Sequence, residues 1–172
     1  MQLLSPSQCS DWLALRRIQE SPYGSRPAMD TWDAQFRIGR NPHAAHAAMV
    51  AAVCGQPLRK DVLIQITDWS SFETEPLPDS LNLLQDAYDG AGLKTFWSGG
   101  VVFTPNDELT LEECCQFIQA EGMSAYLYAP SPQVTLYFWE GDILDVWTSS
   151  EISFGSINSS LLLAGARLIH AV

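Results

Sequence analysis

Apolar and polar side chains alternate along residues 124–148, a pattern typical of antiparallel β-strands that bury one face. The pattern is clearest in residues 133–139 (QVTLYFW), where each face of the predicted strand has its own character. The apolar face carries Val134, Leu136 and Phe138. The opposite face carries Thr135, Tyr137 and Trp139. We therefore predict a sheet with one buried face and one aromatic face.

A β-hairpin is predicted at Glu140-Gly141, because glycine readily adopts the positive φ of a tight turn. A two-residue turn at this point fixes the strand register. It places Phe138 opposite Ile143 and Tyr137 opposite Leu144. Further strands are predicted where short apolar runs are bounded by turn residues. They lie at residues 61–69 and 125–128, at residues 32–38, where a short helix is the alternative, and within residues 93–103, which fit one strand or two.

Helices are predicted from capping residues and from apolar residues spaced three or four apart. In the first helix Ser5 and Gln8 form a capping box and Pro6 suits the first helical position. Its predicted buried residues are Trp12, Leu13, Leu15 and Ile18. Further helices are predicted at residues 43–54, 79–89 and 111–121, the last from a capping box over residues 110–113.

These elements predict an α+β fold. We expect a mixed or antiparallel sheet of about five strands with helices 79–89 and 111–121 on one face. Residues 1–60 are predicted to form an N-terminal helical arm packed on the main domain, and residues 61–172 an acidic α+β domain. Residues 149–160 are rich in turn-forming residues, and residues 161–172 fit either a closing helix or a final strand.

Charge divides the chain in the same way. Residues 1–60 contain seven basic and four acidic residues, whereas residues 61–172 contain two basic and sixteen acidic residues, and the whole chain carries a net charge of −11. Such a negative field repels nucleic acid and anionic lipid, and it attracts a basic protein partner. Solubility alone is the alternative explanation of this charge.

The sequence also predicts a cytoplasmic location. Residues 1–6 lack the basic and apolar parts of a signal peptide, and the apolar run at residues 161–166 is too short to span a membrane. The four cysteines show no spacing typical of zinc sites or of a disulfide framework, so we expect free thiols.

No catalytic, metal or cofactor site is predicted. Asp68 ends a predicted strand, a place where some enzymes carry a catalytic carboxylate, but an Asp there also commonly forms a turn. His43 and His46 share a helix face but have no third metal ligand nearby in sequence. Cys114 and Cys115 lie beside Glu112 and Glu113, whose charges disfavour a reactive thiolate.

Aromatic residues interleaved with acidic ones predict a surface for a basic partner instead. Tyrosine and tryptophan are favoured as interface anchors, and acidic groups around them speed the capture of a basic protein. The predicted partner-binding residues are Asp68, Trp69, Glu73, Glu75, Tyr137, Trp139, Glu140, Asp142 and Asp145.

The stretch from Val62 to Thr148, about half of the chain, resembles small bacterial immunity proteins, which neutralise secreted toxins. The resemblance is carried by four segments: Ile66-Thr67-Asp68-Trp69, the helix ending in Ala87-Tyr88-Asp89-Gly90, a second helix before Gly122, and the strands around Trp139-Glu140-Gly141-Asp142. It implies a protein without catalysis of its own that occludes a toxin domain such as a basic nuclease. A small enzyme using Asp68 or a cysteine, and a non-catalytic subunit of a complex, remain alternatives.

Overall fold

The described part of the chain folds around one antiparallel sheet of eight strands. The structure is a computed structural model that describes residues 1–24, 32–38, 49–54, 60–68, 99–139 and 142–171. The strands are β1 (Gln2–Leu4), β2 (Trp32–Arg37), β3 (Val62–Asp68), β4 (Gly100–Phe103), β5 (Ser124–Pro130), β6 (Gln133–Trp139), β7 (Ile143–Thr148) and β8 (Arg167–Ala171). The helices are α1 (Pro6–Leu15), α2 (residues 49–54), α3 (Glu108–Ala120) and α4 (Glu151–Leu163), with a short 3-10 turn at Pro22–Gly24.

The order of strands across the sheet is β1-β4-β3-β5-β6-β7-β2-β8. The α+β class and the antiparallel sheet are therefore confirmed, but the expected number of about five strands is wrong. The difference arises because β1, β2 and β8 pair with strands that are distant in sequence, and alternation within a short strand does not reveal its partner.

Three of the described helices cover the first face of the sheet. Side chains of α2, α3 and α4 form one apolar cluster with alternate residues of the strands. Representative buried members of this cluster are Met49, Leu111, Cys114, Ile157, Phe36, Ile64, Leu136 and Phe138. Among the described helices, none combines the length and apolar composition needed to cross a lipid bilayer.

The second face is covered in part by α1. Cys9, Trp12 and Leu13 of this helix pack with residues of β3, β4 and β5 that point away from the first cluster. Helix α3, predicted at residues 111–121, lies on the first face with α2 and α4, whereas α1 of the predicted N-terminal arm lies on the opposite face. That helices 79–89 and 111–121 share a face stays a prediction. Over β6, β7 and β2 the same face carries polar and aromatic side chains, against which the turn at Pro22–Gly24 lies.

The first 60 residues contribute β1 and β2 to the sheet, in addition to α1 and α2. Strand β2 lies between β7 and β8, and the strand predicted at residues 32–38 is confirmed. The division of the chain at residue 60 into two parts stays a prediction. Helix 79–89 lies outside the described residues.

The hairpin between β6 and β7 has a different register from the predicted one. Phe138 pairs with Leu144 and Tyr137 with Asp145, so three residues separate the paired Trp139 and Ile143. This register keeps Phe138 and Leu144 together in the core. A one-residue shift would turn every side chain of one strand to the wrong face.

Helix ends were predicted with mixed success. The capping box at Ser5 is confirmed, since Gln8 N donates to Ser5 Oγ at 3.3 Å and Ser5 N donates to Gln8 Oε1 at 2.8 Å. Leu15, however, is 82% exposed rather than buried. Helix α3 begins at Glu108, so the capping box predicted over residues 110–113 is wrong.

The C-terminal region contains a helix where turns were expected, followed by a strand. Helix α4 occupies the stretch read as turn-rich, because the Ser150 side chain caps it by accepting a bond from Ser153 N at 3.2 Å. Gly165, at φ 90°, then ends the helical region and β8 follows. Of the two alternatives for residues 161–172, the strand is correct for Arg167–Ala171.

Candidate binding site on the second face

A row of polar and aromatic side chains crosses the second face at one level. Directly paired residues of neighbouring antiparallel strands project to the same side of a sheet, so the strand register brings them together. From β3 to β8 the paired residues are Gln65, Tyr126, Tyr137, Asp145, Gln35 and His170. At this level the pairing of β5, β6, β7 and β2 is continuous, and the register between β2 and β8 shifts just beyond Gln35.

Asp145 is the centre of this row. Its side chain is only 6% exposed, and its carboxylate accepts hydrogen bonds from Gln35 Nε2 at 2.8 Å, from Trp139 Nε1 at 2.6 Å and from the hydroxyl of Tyr23. Among the described residues, none of the ion pairs includes Asp145. The carboxylate is therefore stabilised by neutral donors while its negative charge has no described cation beside it.

Tyr23 joins the turn at Pro22–Gly24 to the sheet. Its ring makes edge-to-face contacts with Trp147, Tyr137 and Trp139, at centroid distances of 4.9, 5.6 and 5.8 Å. Burial, followed by its hydrogen bond to Asp145, raises the pKa of Tyr23 well above its usual range. The hydroxyl therefore stays protonated and remains a donor to Asp145 at neutral pH.

A pocket of ≈ 450 Å³ opens beside Asp145. It is lined by Pro22, Tyr23, Asp33, Ala34, Gln35, Asp145, Trp147 and His170. One oxygen of its second carboxylate, Asp33 Oδ1, is buried and accepts no hydrogen bond within the described part of the chain. The pocket thus combines aromatic surface with two carboxylates, one of which keeps an unused acceptor.

The structure brings three of the predicted partner-binding residues together. Tyr137, Trp139 and Asp145 are neighbours on the second face, and Trp139 is 41% exposed. Asp142 follows in the turn, where it is exposed and forms an ion pair with Arg37 at 3.3 Å. Asp68 lies at the end of β3, paired with Ser124. The other predicted residues, Trp69, Glu73, Glu75 and Glu140, lie outside the described residues.

Four residues of the site were not predicted from the sequence to bind a partner: Tyr23, Asp33, Gln35 and His170. The polar residues Asp33 and Gln35 alternate with apolar ones in β2, and this alternation indicates a strand with one polar face. Nothing in that pattern indicates β7 as the neighbouring strand. Tyr23 lies in a Pro/Gly/Ser-rich stretch that carries no periodicity at all.

The cysteines provide no nucleophile in this structure. All four are buried. Burial raises the pKa of Cys114 and of Cys54 to about 12, and that of Cys9 to about 11. The thiols are therefore protonated at neutral pH, which makes them poor nucleophiles.

Metal ligation finds no support within the described residues, where no three His, Cys, Asp or Glu side chains are grouped to hold an ion. His43 and His46 lie outside this part of the chain.

Comparisons of the chain with protein-family models, with curated proteins and with solved structures found no match.

Proposed function

We propose that the chain is a binding protein that takes a basic protein partner on the second face of its sheet, around Asp145. The observation that carries this proposal is a buried carboxylate without a described cation, hydrogen-bonded at 2.6 Å to the indole of the partly exposed Trp139. A positively charged group arriving at this face would supply the missing countercharge. It would also cover aromatic surface, which is typical of the energetic centre of protein interfaces.

The residues around Asp145 are suited to binding because they are already held in place. Trp139 is fixed by its indole hydrogen bonds to Asp145 and to Tyr23 Oη, the latter at 2.8 Å, and by its contact with Tyr137 at a centroid distance of 5.1 Å. A side chain that is ordered before binding loses little conformational entropy when a partner covers it. Rigid aromatic anchors on a sheet therefore favour tight association.

The net charge of −11 would act at longer range. Asp145 is too buried, and Asp142 too closely paired with Arg37, for either to dominate steering. The field of the whole acidic chain would instead raise the association rate of a basic partner, and salt would reduce this effect. In this proposal the protein is a cytoplasmic immunity-type inhibitor that occludes a basic toxin or nuclease, without a cofactor or catalysis of its own. The resemblance of residues 62–148 to immunity proteins supports it.

The test compares two tryptophans of similar exposure on opposite faces of the sheet. Trp139 is 41% exposed on the second face, and Trp32 is 37% exposed on the first, where its ring contacts Phe154. Tagged wild-type, Trp139→Ala and Trp32→Ala proteins would be purified from native cells and the bound proteins identified by mass spectrometry. We expect one basic protein to copurify with wild type and with Trp32→Ala and to be largely lost with Trp139→Ala. We also expect the wild-type chain to inhibit the activity of that basic protein. Equal recovery with Trp139→Ala, or an acidic companion, would contradict the proposal.

A second candidate function, a subunit of a larger assembly, is favoured by exposed apolar residues at the β8 edge of the sheet. These residues are Leu168 and Ile169 of β8, together with Leu162 and Leu163 at the end of the preceding helix α4. Strand β8 ends the strand order, so a second copy could extend the sheet by pairing there. Sedimentation velocity at increasing concentration tests this: a dimer that Ile169→Lys abolishes would support it, and a monomer throughout would exclude it.

A further inference from the structure

We propose that the pocket beside Asp145 takes the guanidinium group of an arginine side chain presented by the partner. This inference rests on the proposed function and makes it more specific, because it names the group that enters the site. It follows from the charge, the unused acceptor and the aromatic lining of the pocket.

Charge is the first reason. The pocket holds the carboxylates of Asp33 and Asp145, and among the described residues neither takes part in an ion pair. Two carboxylates in a concave site repel each other and favour a cation over a neutral guest. Arg37, on the same strand as Asp33, does not neutralise these carboxylates, because its ion pair is with Asp142, which does not line the pocket.

The unused acceptor is the second reason. Asp33 Oδ1 is buried without a hydrogen bond, which is costly unless a donor reaches it. The carboxylate of Asp145 already accepts from Gln35, Trp139 and Tyr23 and has little capacity left. A guest with several N–H donors therefore finds acceptor capacity in the partly exposed carboxylate of Asp33 and its countercharge in both carboxylates.

The shape of the lining favours guanidinium over ammonium. Trp147 and Tyr23 both line the pocket, and their rings meet edge to face at 4.9 Å. A planar, weakly hydrated guanidinium can stack on such a ring while its edge donates to a carboxylate. An ammonium group is more strongly hydrated and offers no flat surface. The volume of ≈ 450 Å³ leaves room for the whole arginine side chain.

The experiment uses three capped amino acids as probes: N-acetyl-arginine methylamide, its lysine counterpart and its citrulline counterpart, which is nearly isosteric with arginine but uncharged. The indole N–H signals of Trp147 and Trp139 are followed by ¹H–¹⁵N NMR in the full chain. We expect saturable shifts of these signals with the arginine probe, affinity lower by about threefold or more for lysine, and about tenfold or more for citrulline.

Variants locate the binding. Asp33→Asn should weaken the arginine probe by about fivefold or more, and Trp147→Phe should weaken it while leaving the fold intact. Asp11→Asn, at an exposed position of α1, is the matched control and should bind as wild type does. Equal affinity for arginine and citrulline, or no effect of either pocket variant, would overturn the inference.

Failure of the inference and failure of the proposed function give different results. If the basic partner is captured through Trp139 but the arginine probe leaves Trp147 unshifted, the guanidinium pocket is wrong and the binding face stands. If the probe binds as expected but no basic protein is captured, the pocket stands as a guanidinium site and the protein partner is wrong.

Discussion

Replacing Asp145 with alanine tests the hydrogen-bonded centre of the second face. The substitution removes the acceptor of three donors, the side chains of Gln35, Trp139 and Tyr23. A hydrogen bond to a charged acceptor contributes about 1.5–3 kcal/mol, and donors left unpaired add a penalty of similar size. Three such bonds set the upper limit of the effect.

Two features reduce that limit. Trp139 and Tyr23 are partly exposed, so water can replace Asp145 as their acceptor. Alanine also removes a buried charge that has no described cation, which returns part of the desolvation cost. We therefore expect Asp145→Ala to lower the free energy of unfolding by about 2 kcal/mol, or about thirtyfold in the folding equilibrium.

Asp145→Asn separates hydrogen bonding from charge. The amide oxygen can accept from Trp139 and Tyr23, and the amide of Gln35 can rotate to offer its own oxygen to the new N–H group. We expect this variant to lose less than about 1 kcal/mol. Urea unfolding followed by tryptophan fluorescence and circular dichroism measures both values, with Asp11→Ala as the exposed control. A loss below about 0.5 kcal/mol for alanine, or equal losses for alanine and asparagine, would refute this reasoning.

The remaining predictions concern packing and ionisation. Gly100→Ala should destabilise the fold by about 1–3 kcal/mol, because the added Cβ would lie 2.7 Å from Leu63 Cδ1 and 2.8 Å from the carbonyl oxygen of Ile64. Gly155→Ala, in α4 with no atom within 4 Å of the added Cβ, should instead stabilise it by about 0.5–1 kcal/mol, and thermal unfolding of the two variants checks the difference in sign. Labelling with a thiol-specific disulfide reagent at pH 8 should be slow in the native protein and fast in urea, since burial raises the pKa of Cys114 to about 12; rapid native labelling would contradict the burial of the thiols. Burial raises the pKa of Tyr23 above the usual value of 10.0, so the stability that its protonated hydroxyl contributes is complete below that pH and is lost above it. The free energy of unfolding of Tyr23→Phe should therefore fall less steeply at alkaline pH than that of wild type. An identical alkaline profile would show that Tyr23 is not the titrating group.

Local patterns predicted local structure well. The two faces of β6 follow from alternation alone, because Val134, Leu136 and Phe138 enter the core and Tyr137 packs on the second face. The capping box at Ser5 also needs only neighbouring residues. Such features depend on chemistry within a few positions of the chain, and the sequence shows it directly.

Long-range pairing could not be predicted. Gln35 meets Asp145 across 110 residues of sequence, and β2 lies between β7 and β8 although neither is its neighbour in the chain. The binding site depends on this pairing, since Asp33 and Gln35 reach the pocket only because β2 joins the sheet beside β7. Part of the site was therefore visible from β6 and β7, and the rest was not.

Helix α4 was missed for a different reason. It buries only Ile157 and Leu161 and exposes Ile152 and Leu163, so its apolar residues do not form a single stripe. Its serines and glycine lower helix propensity and suggested turns. The cap at Ser150 and packing on the sheet outweigh those local preferences.

The most direct test of the binding face is the affinity of the purified basic partner for wild type, Trp139→Ala and Trp32→Ala, measured by calorimetry at low and at physiological salt. We predict a dissociation constant at least about tenfold weaker for Trp139→Ala, within about twofold of wild type for Trp32→Ala, and weaker binding of every protein as salt rises. Equal losses for the two tryptophan variants, or an affinity independent of salt, would contradict the claim that a positively charged partner binds around Asp145.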